Sequence, residues 1–163
     1  YLTKKIPRES IYVINSGAAG QWYHMNINKN HIYIPTEYSD EEFSRILKEI
    51  VTNPKAKNIF IVIDDADNFK LKNNDILRSI FINSRRLNVG GMLIVRRLSW
   101  VPIEIYDYSK YAFFARQNVD CSIFYASYFI PKEIARKLKT LPQYAFLAYR
   151  PETGESKIIK VKI

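Results

Sequence analysis

The stretch NIFIVIDDADNF, residues 58–69, runs an unbroken apolar segment straight into three carboxylates. A strand buried on both faces reads as a continuous apolar run, here Ile59 to Ile63. Asp64, Asp65 and Asp67 then fall at the carboxyl-terminal edge of a sheet, where open α/β sheets keep their ligands. Like charges this close repel, and burying them unpaired is costly. A cation, whether Mg²⁺, Lys or Arg, is expected beside them. The same residues also read as a strand ending in an Asp-rich turn, since Asp and Asn favour turns. On this stretch alone both readings stand.

Working outward, the segment is set among alternating strands and helices. SIYVIN, residues 10–15, is a strand candidate followed by the small-residue loop SGAAG, and HIYIP, residues 31–35, is a short strand ended by Pro35. Ser39 and Glu42 have the spacing of a capping box, with Phe43, Ile46, Leu47, Ile50 and Val51 following at helical spacing until Pro54. A second helix is expected over 74–87, with Ile76, Leu77, Ile80 and Phe81 inward and with Gly90 and Gly91 ending it before the strand MLIV. Beyond that lie a strand at YAFFAR, 111–116, and a short helix in IPKEIARKLKTLP. A closing hairpin, YAFLAYR and KIIKVKI about the turn PETGES, is expected to carry Lys157, Lys160 and Lys162 on one side as a charged edge. Strands alternating with helices argue for an α/β protein with a mostly parallel sheet and an antiparallel end.

At 163 residues, the chain has the length of one domain with a real core. Its 47% hydrophobic and 14% aromatic content fits a folded globular protein, not a disordered one. No apolar run reaches the ~18 residues a bilayer span needs, and no signal peptide is visible. With a single cysteine, a reducing interior such as the cytoplasm is the expected compartment. Cys121 is the single cysteine, so an internal disulfide and an all-cysteine metal site are excluded. A net charge of +9 and a pI near 9.6 point to a polyanionic partner, of which nucleic acid is the usual one; Lys- and Ile-rich usage of an AT-rich or heat-adapted source gives the same numbers.

Twenty residues after the aspartates the chain reads SRRLNVGGMLIVRRLSWVP, residues 84–102. With the acidic strand end, this segment resembles the FtsK/HerA superfamily of P-loop motors, including viral and archaeal DNA-packaging ATPases. There a strand ending in two acidic residues and a helix precede an Arg-His pair, a glycine, an apolar strand and a Gln-Arg-Pro-Ser segment. Arg85 and Arg86 stand at the pair, Gly90 at the glycine and Arg96 at the glutamine, with Arg97, Leu98, Ser99 and Pro102 following. SIYVINSGAAGQW resembles the strand and loop after the nucleotide-binding helix of such motors.

The resemblance implies a RecA-like P-loop NTPase core occupying 1–163 as one ATPase domain. It implies ATP and Mg²⁺ as cofactors, double-stranded DNA as substrate track, a homo-oligomeric ring such as a hexamer, and association with a viral capsid or portal. Phosphoryl transfer is chiefly positioning and charge neutralisation. Asp64 takes the Mg²⁺ position, since Mg²⁺ keeps several waters and uses one or two carboxylates. Asp65 takes that of the residue orienting or deprotonating the attacking water, and Asp67 that of a loop-capping residue. Arg96 is the γ-phosphate sensor candidate and Arg85 an interface finger; Arg97 and Trp22 are candidates for holding nucleotide. Arg86, with Lys132, Arg136 and Lys137 of KEIARKLK, is the candidate DNA-contacting set. The simpler readings are a solvated helix end for the arginine pair and a solvated face for the lysine run. Most aromatics read as core, with Trp22 and Trp100 the better stacking candidates.

The chain departs from that family in one respect that matters: GxxxxGK[ST] is nowhere in it, and SGAAG lacks the Lys and the Ser/Thr. Either the loop lies upstream of YLTKKIP, which reads as a helix tail stopped by Pro7, or the chain is a degenerate relative. Two functions follow, a DNA translocase or genome-packaging ATPase subunit and a non-catalytic DNA-binding or assembly protein that kept the fold. A filamentous-phage-type assembly ATPase is a third, and it requires a membrane anchor elsewhere.

Overall fold

The computed structural model describes residues 6–15, 20–53, 58–69 and 71–160. The loop SGAAG, the helix tail at residues 1–5, Pro54 and Lys162 lie in whole or in part outside them. The chain divides into two units, Tyr1–Arg96 and Arg97–Ile163, which are taken in turn.

In chain order the first unit carries β1 (Ile11–Asn15), α1 (Gly20–Tyr23), β2 (Ile32–Tyr33), α2 (Asp40–Thr52), β3 (Ile59–Asp64), α3 (Asp75–Ile82), α4 (Ser84–Leu87) and β4 (Val89–Leu93). The four strands form one parallel sheet in the order β2-β1-β3-β4. β3 is central, and every residue of β1 and all but Phe60 of β3 are buried. This is why both read as unbroken apolar runs rather than alternating ones. The pairing sets Asn15 opposite Asp64 at one end and Ile59 opposite Val89 at the other.

Helix α2 buries Phe43, Ile46, Leu47 and Ile50, the stripe read from the sequence. The Ser39 hydroxyl accepts the Glu42 N–H at 3.2 Å, as a capping box requires. The Glu42 carboxylate reaches further back than that motif predicts, accepting the N–H groups of Thr36 (3.3 Å) and Glu37 (2.7 Å). It therefore ties the preceding turn to the helix. The buried Asn74 caps α3 by accepting the Leu77 N–H at 2.8 Å, while its Nδ2 donates to Ser44 Oγ of α2 at 2.9 Å. One side chain thus starts one helix and fastens it to another.

The helix expected over 74–87 is interrupted at Asn83. Its Nδ2 donates to the Ser79 carbonyl at 3.0 Å, and α4 begins afresh at Ser84. Gly90 and Gly91 do not cap that helix. Asn88, at φ 53°, supplies the left-handed C-cap, and both glycines lie inside β4. Their role is steric: a Cβ on Gly90 would stand 2.6 Å from Phe60 Cδ2, and one on Gly91 3.0 Å from Phe81 Cζ.

The second unit carries α5 (Ile103–Asp107), β5 (Ala112–Ala115), α6 (Asp120–Ala126), α7 (Lys132–Lys137), β6 (Ala145–Arg150) and β7 (Glu155–Lys160). The expected hairpin is β6–β7, turning through Gly154 at φ 70°, and β5 extends it to an antiparallel sheet in the order β5-β6-β7. Phe114, Leu147 and Tyr149 face Ala126, Ile130, Ala135, Leu138 and Leu141, so the helical side of this unit covers one face of the sheet. The Tyr106 hydroxyl donates to the Phe129 carbonyl, and burial pushes its pKa up. The register corrects one expectation. Lys157 pairs with Ala148 and Lys160 with Ala145, an odd separation, so these two lysines point to opposite faces.

Candidate active site

The carboxyl-terminal ends of β1, β3 and β4 bring together a small polar group on an otherwise apolar sheet. Asp64 is the last residue of β3 and is only 7% exposed. Its Oδ2 accepts the indole Nε1–H of Trp22 at 2.9 Å, and its Oδ1 accepts the Asp65 N–H at 3.0 Å. Two donors on opposite oxygens fix the plane of this carboxylate. Trp22 itself is buried among Ile11, Val13, Ile27 and Val62. Its ring is thus part of the core, and what it offers the site is a hydrogen bond rather than a stacking face.

Asp65 adopts the left-handed conformation, φ 50° and ψ 42°, which Asp tolerates better than most residues. The chain turns there: the Ala66 N–H donates to the Ile94 carbonyl at 3.0 Å, while the Ile94 N–H donates to the Ile63 carbonyl at 2.9 Å. The acidic loop is thereby stitched to the residues just past β4. Asp67, buried, completes the stitch by accepting the Arg96 N–H on both oxygens, each at 3.0 Å. The Arg96 side chain, 67% exposed, sets its Nε 3.4 Å from Asp65 Oδ1 and 3.7 Å from Asp67 Oδ2. The cation that clustered carboxylates demand is therefore an arginine three residues past the end of the neighbouring strand, β4.

Asp64, Asp65, Asp67, Arg96 and Trp22 are thus brought together. Asn15, buried and in register with Asp64, joins them and is a position that sequence reasoning missed. The signal was present: IYVIN and IFIVID are parallel apolar runs that each end in one polar residue. Arg85 and Arg86 are placed elsewhere. They lie in α4, and Arg85 borders a groove with Asn58, Ile59, Val89 and Gly90 at the amino-terminal ends of β3 and β4. Six residues of strand, about 20 Å at ~3.3 Å each, separate that end from the aspartates. Arg97, Lys132, Arg136 and Lys137 belong to the second unit, where the Arg97 guanidinium lies 5.3 Å from the Trp100 ring centroid and the α7 residues are exposed.

Among the described residues no three His, Cys, Asp or Glu side chains converge to cage a metal ion. One fixed carboxylate beside a flexible arginine fits an ion held mostly through water and phosphate oxygens, which is how Mg²⁺ binds. It does not fit an ion held by protein ligands alone. Among the described residues no helix is long and apolar enough to cross a membrane.

No protein-family model and no curated protein matches this sequence. Solved structures do. The genome packaging NTPase B204 from Sulfolobus turreted icosahedral virus 2, in complex with sulfate, superposes with a TM-score of 0.82 at 19% identity, over 100% of this chain and 88% of that one. Its complex with AMPPCP gives 0.76 at 18%, over 100% and 91%. B204, the DNA-packaging ATPase from Sulfolobus Turreted Icosahedral Virus, gives 0.71 at 18%, over 93% and 83%. The chain has the fold of a genome-packaging NTPase. The P-loop NTPase architecture that the resemblance implies is therefore the architecture present, with the parallel four-stranded sheet flanked by helices and a separate antiparallel three-stranded sheet.

Proposed function

We propose that this chain is the ATPase subunit of a DNA-packaging motor of the FtsK/HerA type, with both units parts of one ATPase that assembles into a ring around double-stranded DNA. The observation that carries the reading is the pair Asp64–Asp65 at the end of the central strand with Arg96 drawn onto it from the end of the neighbouring strand. The packaging NTPases that share the fold were solved with ATP analogues bound, which supports nucleotide as the ligand.

In this reading Asp64, held rigid by Trp22 and the Asp65 N–H, takes the Mg²⁺–water shell. Mg²⁺, when bound, neutralises phosphate charge. Asp65 orients the attacking water and accepts its proton. Arg96 is anchored by its backbone to Asp67, so only its guanidinium is left to move, from the carboxylates toward a phosphate. Arg97 assists at the nucleotide. Arg85, remote from these groups in its own chain, serves a neighbouring subunit, and Arg86, Lys132, Arg136 and Lys137 meet the DNA backbone. Capsid or portal docking and a cytoplasmic or virion location belong to the same reading.

The test is hydrolysis of ATP with and without double-stranded DNA, on the chain and on Asp65→Asn. DNA-stimulated turnover that the substitution abolishes supports the motor. Nucleotide-independent, salt-sensitive DNA binding with no turnover supports a second reading, a non-catalytic assembly protein, which Arg96 at the position of the family's glutamine favours.

A further inference from the structure

An antiparallel sheet with helices on one face turns alternate residues to water, and those residues are ordinarily polar. The three-stranded sheet of the second unit departs from this. Along β6, Ala145, Leu147 and Tyr149 are buried, so Phe146 and Ala148 point the other way. The register places Ala115 and Phe113 of β5 beside them, and Ile159 and Lys157 of β7 on the opposite flank. Phe113 is 56% exposed and Phe146 37%. Tyr111, 50% exposed, extends the row, its ring 6.3 Å from that of Phe113 with Lys110 Nζ 5.8 Å above it. Three aromatic rings and an isoleucine thus occupy a water-facing sheet surface, with Lys110 over Tyr111, Lys157 across from Ala148, and the cross-strand pair Arg150–Glu155 next along the same face.

We propose that this face is a stacking platform for single-stranded nucleic acid, a function separate from the nucleotide site and beyond the duplex track of the motor. Exposed aromatic rings on a strand offer every unpaired base a π-face whatever its identity, and flanking lysines take the phosphates. Charge selects this occupant over a second copy of the chain. From residue 97 onward the sequence holds eleven Lys and Arg against six Asp and Glu, so two copies meeting here would oppose like charges. Area argues likewise: three strands by four residues cover about 200 Å², far below the ~800 Å² per partner of a stable protein interface. A duplex keeps its base faces inside its own stack and offers these rings nothing.

The experiment is fluorescence anisotropy of labelled oligothymidylate and of a duplex of equal length, titrated with the full chain in the absence of nucleotide. Phe113→Ala and Phe146→Ala are each expected to weaken single-strand binding by roughly 5- to 100-fold, leaving duplex binding unchanged, while Phe113→Tyr retains it. Lys157→Gln is expected to lower the salt dependence by about one phosphate contact. Because these side chains face water, circular dichroism of the variants should match that of the parent. Oligouridylate run in parallel separates RNA from DNA as the strand preferred, and either supports the platform. Alanine variants that bind oligothymidylate as the parent does overturn it. So does a concentration-dependent dimer, in sedimentation, that the same variants dissolve. Neither result touches the ATPase reading, which is measured by turnover.

Discussion

Asp67 holds Arg96 by its backbone, with both carboxylate oxygens 3.0 Å from one N–H. The aspartate that reads as a loop cap is thus a clamp between the acidic loop and the end of β4. Removing it leaves a part-buried N–H without its acceptor, the costly half of a lost hydrogen bond. Asp67→Ala is expected to destabilise the protein by about 1–3 kcal/mol in urea denaturation, and Asp67→Asn, which keeps one acceptor oxygen, by less. Equal losses for the two would mean that charge on Asp67, rather than its acceptor geometry, does the holding.

Arg96 is the opposite case. Its guanidinium is largely exposed and its pairs with Asp65 and Asp67 are long, so screening by water keeps their worth to about 0–1 kcal/mol. Arg96→Ala should leave the denaturation midpoint almost unmoved. If the motor reading holds, turnover falls by about tenfold or more, because a preorganised cation matters where charge develops. A variant with unchanged turnover would confine Arg96 to neutralising the loop.

How much of this was legible in the sequence differs by element. The parallel core was readable because strands buried on both faces leave continuous apolar runs, and Ile59–Ile63 and Ile11–Ile14 do so. The acidic edge was readable for the same reason: three carboxylates break such a run abruptly. What could not be read was pairing at long range. The bond from Trp22 to Asp64 spans 42 residues, and local composition gives a tryptophan near a strand end equal claim to stacking and to core. The two glycines were assigned to a cap because Gly commonly ends helices; that Asn88 takes the left-handed position depends on its own φ, and that Phe60 and Phe81 fill the space depends on the register of β3 with β4.

That steric role is testable. Gly90→Ala should cost about 1–3 kcal/mol, as overpacking does, because its Cβ would stand 2.6 Å from Phe60 Cδ2 and the ring or backbone must shift. Shortening the ring should relieve it: Gly90→Ala with Phe60→Leu is expected to be more stable than the sum of the two single changes. Strict additivity in that cycle would show that the two sites do not meet.

Glu42 supplies a pH signature for the start of α2. The hydrogen bond from the Glu37 N–H holds its pKa below the ordinary 4.5; burial, the next-largest influence, opposes it, and hydrogen bonds from Thr36 and the charge of Arg45 add to the lowering. A depressed carboxylate pKa contributes stability that is complete above the unfolded-state value and is lost as pH falls through the folded-state value. The parent should therefore lose this contribution only below about pH 4.5, when the carboxylate takes up its proton. Glu42→Gln carries no charge and keeps one acceptor oxygen, so it can take the Thr36 or the Glu37 N–H but not both. It should melt lower than the parent at pH 7 and converge with it near the acid end, with thermal melts across the acid limb as the measurement. A constant offset at every pH would mean that the turn is held by shape alone and that ionisation of Glu42 contributes nothing.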